Sequence, residues 1–192
     1  MKVPLRFQIT EYDCGTTSLI NALAFLFDRE ELPVTLLKAI YRYTLDAEGE
    51  NGIVGEAGTS RDAIEKLSHW IHRYTVNNDF NLSSEVLEKE EVTLEKIKEC
   101  LNLGGCVLAR CYQEVQHYVL ITHIDDNFAY IFDPYYLEED YYAKDSQVAI
   151  VLNQSFTHNR VVKINRLFNE SKQDFSLMEI ENREVVLLNK IK

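Results

Sequence analysis

The sequence predicts an α+β fold, and three observations carry that expectation. Apolar residues recur at helical spacing in several stretches of the first hundred residues. From Cys106 onward the pattern changes to short β-branched and aromatic runs of strand length. Helices first and strands second, without regular strand–helix alternation, favour helices packed on a C-terminal antiparallel sheet. The 192 residues, 46% of them hydrophobic, suit one domain spanning 1–192 with a sizeable core.

An extended lead-in, Val3-Pro4-Leu5-Arg6-Phe7, precedes a helix over 14–27 whose apolar stripe is Leu19, Leu23, Leu26 and Phe27. Asp13 stands where an N-cap belongs, and Gly15 in the first turn lets another chain come close. Pro33 starts a second helix reaching about residue 44, with Leu36, Leu37, Ile40 and Tyr41 on one side. Residues 46–58, rich in Glu, Gly and Asn, read as a loop. Thr59 or Ser60 caps a third helix carrying Ile64, Leu67, Trp70 and Ile71.

A polar connection at 77–91 leads to a short helix over 93–103 that stops at Gly104-Gly105. Strands follow at 106–112, 117–124 and 128–133, the last two joined by the turn Asp125-Asp126-Asn127. An acidic, tyrosine-rich loop fills 134–146, and 147–152 is a further strand. The tail offers strands at 160–167, 175–180 and 184–191, the last two expected as a hairpin turning at Glu181-Asn182-Arg183.

The formal charge is −11, so nucleic acid phosphates and anionic lipid are poor partners. No stretch is apolar and long enough to span a bilayer, and no signal peptide is visible, so a soluble cytoplasmic protein without an integral membrane segment is expected. Cys100, Cys106 and Cys111 lack zinc-ligand spacing, and no paired histidines follow them. His69 and His72 flank Trp70 and Ile71 on an ordinary amphipathic helix. Neither a metal nor another cofactor is therefore expected.

Four residues stand out: Gln8, Cys14, His117 and Asp133. Only the thiolate of cysteine attacks carbonyls well. At a helix N-terminus, unpaired N–H groups and the macrodipole favour that anion, and a histidine can hold the displaced proton. If 117–124 and 128–133 pair antiparallel, His117 opens one strand beside the end of the other, where Asp133 can orient its ring. The backbone N–H of Cys14 and the Gln8 amide would then serve a developing oxyanion. Each residue alone has an ordinary structural use; together they fill every role of a thiol nucleophile. Tyr135 and Tyr136, directly after the acid, are candidates for a substrate groove.

The strings Gln8-x5-Cys14, Asp13-Cys14-Gly15-x-Thr17-Ser18-Leu19 and His117-Tyr118-Val119, with Asp133-Pro134 sixteen residues on, resemble the bacteriocin-processing cysteine peptidase family. The likeness is to its stand-alone members without transporter domains, and it spans residues 3 to about 152. It implies a papain-like fold with Cys14 as nucleophile, His117 as base and acid, Asp133 as orienting acid and Gln8 in the oxyanion hole. Transporter-fused members cleave leader peptides after a Gly-Gly pair. Here Thr16 stands where stand-alone members often carry proline, and 153–192 reads as a C-terminal strand extension beyond the match.

The expected activity is hydrolysis of a peptide or protein substrate through an acyl-thioester, including processing of a leader peptide; a partner transporter is not identified by the sequence. Two other readings stand beside it, and the first uses the same residues. An acyltransferase or amide-forming enzyme would replace water with an amine. A catalytically silent leader-binding module would need neither Cys14 nor His117 intact.

Overall fold

The computed structural model describes residues 1–191, which build a mixed α+β fold around one antiparallel sheet. Three helices come first: α1 (Cys14–Leu26), α2 (Val34–Tyr43) and α3 (Arg61–Asn78). After β1 (Leu82–Glu88) and α4 (Leu94–Asn102) come β2 (Cys106–Gln113), β3 (Val115–Ile124) and β4 (Phe128–Phe132). The chain closes with β5 (Val148–Ile150), β6 (Arg160–Lys163), the single turn α5 (Ile164–Leu167) and β7 (Glu184–Lys190). The strand order is β1-β7-β2-β3-β4-β6-β5, every neighbour antiparallel.

Strand alternation gives the sheet two apolar faces. Leu108, Leu120, Phe132 and Leu188 join the helix residues Leu23, Leu36, Ile40 and Leu67 in one core. Val107, Val119, Ile121 and Leu187 point the other way, into a second core with Ile97 of α4, Leu167 of α5, Phe175 and Leu177. The central strands β2 and β3 are buried on both faces, which is why they read as nearly continuous apolar runs.

Caps and glycines fix the helix ends. Ser60 accepts from the Ala63 N–H at 3.1 Å, and Thr93 from the Lys96 N–H at 3.3 Å. A Cβ on Gly15 would stand 2.8 Å from the Thr59 side chain and 3.3 Å from the Tyr118 ring, so glycine lets α1 seat against both. Arg61 opens α3 and reaches the buried Glu184 of β7 at 2.8 Å, and Glu184 also accepts from the Tyr118 hydroxyl at 2.8 Å.

Three sequence expectations change. Residues 82–88 of the polar connection form the edge strand β1, paired with β7 along its whole length; the polar run Ser83-Ser84-Glu85 interrupts the apolar alternation that marks a strand. Residues 175–180 form no strand, because Phe175 and Met178 adopt positive φ (66° and 62°) that breaks an extended course. Their hydrogen bonds run to Tyr112 and Leu167, so the hairpin with 184–191 does not form and β7 instead lies between β1 and β2. The 160–167 run splits, with four residues in β6 and four in α5. Among the described residues no helix is long and apolar enough to cross a membrane.

Candidate active site

The site forms where the N-terminus of α1 abuts the start of β3. Cys14 is the first residue of α1 and is 8% exposed. Asp13 occupies the N-cap position, yet its side chain makes no cap bond. Its carboxylate turns back on the preceding loop and accepts from the Thr10 N–H and hydroxyl, both at 2.8 Å. The loop bearing Gln8 is thereby closed onto the helix, and the first-turn N–H groups of α1 stay available to an anion at the sulfur.

The β3–β4 register pairs Leu120 with Phe132, so the start of β3 lies beside the end of β4. His117 and Asp133 meet at that end: Nε2 donates to Asp133 Oδ1 at 2.8 Å. This leaves Nδ1 as the nitrogen for Cys14, the ring's other charge partner. Asp133 is fully buried. Its Oδ1 also accepts from the Tyr135 N–H at 2.9 Å, while Oδ2 faces Arg160 Nη2 at 3.2 Å and Gln113 Nε2 at 3.4 Å.

Burial opposes charge on all three groups, and specific partners outweigh it. At Cys14, burial pushes the thiol up, but the neighbouring His117 ring, its charge and the N–H groups of Tyr118 and Gly15 carry it below its ordinary value. At His117, burial is overcome by the Asp133 charge and hydrogen bond together with Cys14, and the imidazolium is pushed up to about 10. At Asp133, burial is outweighed by His117, Arg160 and the Tyr135 N–H, which hold the carboxyl below the usual range. The other thiols behave oppositely: burial pushes Cys100, Cys106 and Cys111 up. Cys14 is thus the thiol built to ionise, and the site titrates as a coupled unit.

Gln8 is held by its backbone N–H, which donates to Pro134 O at 2.9 Å, and by Phe7, packed against Phe132 and Tyr136. Its amide Nε2 donates one hydrogen to Thr10 O at 2.7 Å, which leaves a second. Its Oε1 is buried and has no partner among the described residues.

Two cavities flank the pair. One, of about 420 Å³, is bounded by Cys14, His117, Glu11, Tyr12, Val115 and the 56–59 segment. The other, of about 270 Å³, holds Glu11, Gln113, Glu114, His117, Tyr135 and Tyr141. Tyr135 therefore borders the site. Tyr136 lies outside both linings, with its ring edge-on to Phe7 and its hydroxyl toward Glu138. The 46–58 loop, given no role from sequence, contributes part of a wall.

Sequence reasoning missed Asn159 and Arg160. Asn159 brackets the acid's backbone, accepting from the Asp133 N–H at 2.7 Å and donating to Asp133 O at 2.7 Å. Arg160 alternates with Val162 on the buried face of β6, so a charge at an inward strand position was the available signal. Among the described residues no cluster of three or more His, Cys, Asp or Glu side chains is arranged to hold a metal ion.

A helix-borne thiol beside a strand-borne histidine, with an acid just past the next strand, on an α+β frame, defines the papain-like class of thiol peptidase folds. The chain belongs to the Peptidase_C39 like family, whose sequence model matches residues 1–160. Comparison with curated proteins gives no match.

Proposed function

We propose that the chain is a cysteine peptidase that hydrolyses extended peptide segments, with Cys14, His117 and Asp133 as its triad. One observation carries this reading: Asp133 pins the His117 ring from behind at 2.8 Å, and that ring and its charge carry the neighbouring Cys14 thiol below its ordinary value against the effect of burial. The thiolate adds to the scissile carbonyl, and the oxyanion receives the backbone N–H of Cys14 and the free N–H of Gln8. His117 gives its proton to the departing amine, leaving an acyl-thioester on Cys14. Water then attacks, His117 takes its proton, and the carboxylic acid departs as the thiol pair is restored.

Tyr135, on the wall of the smaller cavity, is proposed to contact substrate. Residues 1–192 are proposed to act as one domain, because β7 from the tail is an interior strand of the sheet. Four free, buried cysteines support a reducing, cytoplasmic setting.

The test is an extended peptide library, with peptides bearing a Gly-Gly pair as one arm, and sequencing of the products. The parent should yield free carboxyl ends and the Cys14→Ala variant none. Cleavage persisting in Cys14→Ala would overturn the assignment, and amide products formed with an added amine would redirect it to acyl transfer.

A further inference from the structure

Behind the triad lies a cation that the reaction above does not use. Arg160, the first residue of β6, is 0% exposed. Besides facing Asp133 Oδ2, it donates from Nη2 to Tyr135 O at 2.8 Å and from Nη1 to Asn159 O at 3.0 Å. Asp133 is its one ion-pair partner among the described residues. The register explains the placement: Arg160 pairs with Ile131, so the turn of β6 brings residues 159 and 160 against the acid after β4. Asn159 holds the backbone of Asp133 and Arg160 its carboxylate.

Charge changes during the cycle give this pair a task. In the resting site the sequence of charges is thiolate, imidazolium, carboxylate, guanidinium. Once His117 has delivered its proton, the ring is neutral, and Asp133 without Arg160 would be a lone carboxylate shielded from water. Such a group captures a proton instead. A guanidinium keeps its charge across the working pH range.

We propose that Arg160 is a positioning residue for the acid: it fixes Oδ2 so that Oδ1 stays aimed at His117, and keeps Asp133 ionised while the ring is neutral. The inference rests on the peptidase reading. The other titratable groups around the pair are Cys111 on β2 and Tyr142 in the loop after β4; burial raises both, so they remain neutral, and Asp174 accepts the Tyr142 hydroxyl at 2.8 Å. The Gln113 amide approaches Oδ2 but brings no charge.

The experiment is the rate of iodoacetamide labelling at Cys14 against pH, with kcat and KM where a cleaved peptide is in hand. Arg160→Gln should move the acid limb of labelling upward by about one pH unit or more, a tenfold change in proton affinity. Arg160→Lys keeps the charge without the planar fork, so its limb should stay in place while kcat falls several-fold at constant KM. In an Asp133→Asn background, Arg160→Gln should change labelling less than about twofold, since nothing is left for it to act through.

A folded Arg160→Gln protein with the parent's limb, or an equal loss in both backgrounds, overturns the inference. If Arg160→Gln does not fold, Arg160→Lys decides, and a parent-like kcat overturns it. A parent whose Cys14 labels slowly at every pH fails the peptidase reading itself.

Discussion

Replacing Asp133 with asparagine removes one charge while keeping the shape. In the parent, Asp133 Oδ1 takes the His117 Nε2–H at 2.8 Å, and the imidazolium is raised from 6.5 to about 10. At 1.36 kcal/mol per pH unit, that difference is about 5 kcal/mol in favour of the charged ring, shared between Asp133 and Cys14. Burial works against the charge, so without the carboxylate the ring should fall toward its ordinary value or below. The amide can also present an N–H to Nε2 and turn the ring to the wrong tautomer. We expect kcat to fall by about 10²–10⁴ with KM little changed, the range that loss of an orienting acid produces. Steady-state kinetics on a cleaved peptide, with a thermal melt to verify folding, measures this. A folded Asp133→Asn protein within threefold of the parent's kcat would refute the reasoning.

Further expectations follow from the same contacts. The coupled pair contributes to stability with opposite pH slopes. The contribution of His117, whose affinity is raised, is complete below 6.5 and lost as pH rises toward about 10; that of Cys14, lowered from 9.0, is complete above 9.0 and lost as pH falls. Just below 9.0, down to the lowered Cys14 value, the two slopes oppose each other. Urea melts should show Cys14→Ala steadily losing stability, relative to the parent, as pH rises through that window, and parallel curves would contradict the ion pair. Gln8→Ala should lower kcat by about 10²–10³ with KM nearly unchanged; an effect confined to KM would remove Gln8 from the oxyanion role. Arg61→Ala strands Glu184, whose side chain is 2% exposed, with only the Tyr118 hydroxyl. Its cost should be about 3 kcal/mol, seen as a fall of roughly 6–12 °C in Tm, and a fall under 2 °C would mean that Glu184 is rescued elsewhere.

The helices and the strands that carry the site were legible because their periods are uninterrupted. Leu19, Leu23 and Leu26 mark α1, and the β-branched and aromatic runs of 117–124 and 128–132 mark β3 and β4. Antiparallel pairing of those two strands was enough to bring His117 and Asp133 to one end. What failed depended on neighbours distant in sequence. β1 is an edge strand whose only long-range cue is its partner β7, more than ninety residues on. Phe175 and Leu177 look like strand residues but are buried in an irregular crossing, with Phe175 at positive φ. Tyr135 and Tyr136 share a local pattern, yet one borders the cavity beside His117 and the other braces Phe7. Arg160 is the sharpest case, since its burial is explained only by a carboxylate twenty-seven positions away.

The central claim is that the Cys14 sulfur shares its proton with the ring of His117. It is tested most directly by labelling with iodoacetamide between pH 5 and 9, read at each cysteine by peptide mapping, in the parent and in His117→Ala. Rapid alkylation of Cys14 alone is expected in the parent, already well developed near pH 6, with collapse toward ordinary thiol behaviour in His117→Ala. A Cys14 that reacts only above about pH 8 in both proteins, as an unassisted thiol does, would contradict it.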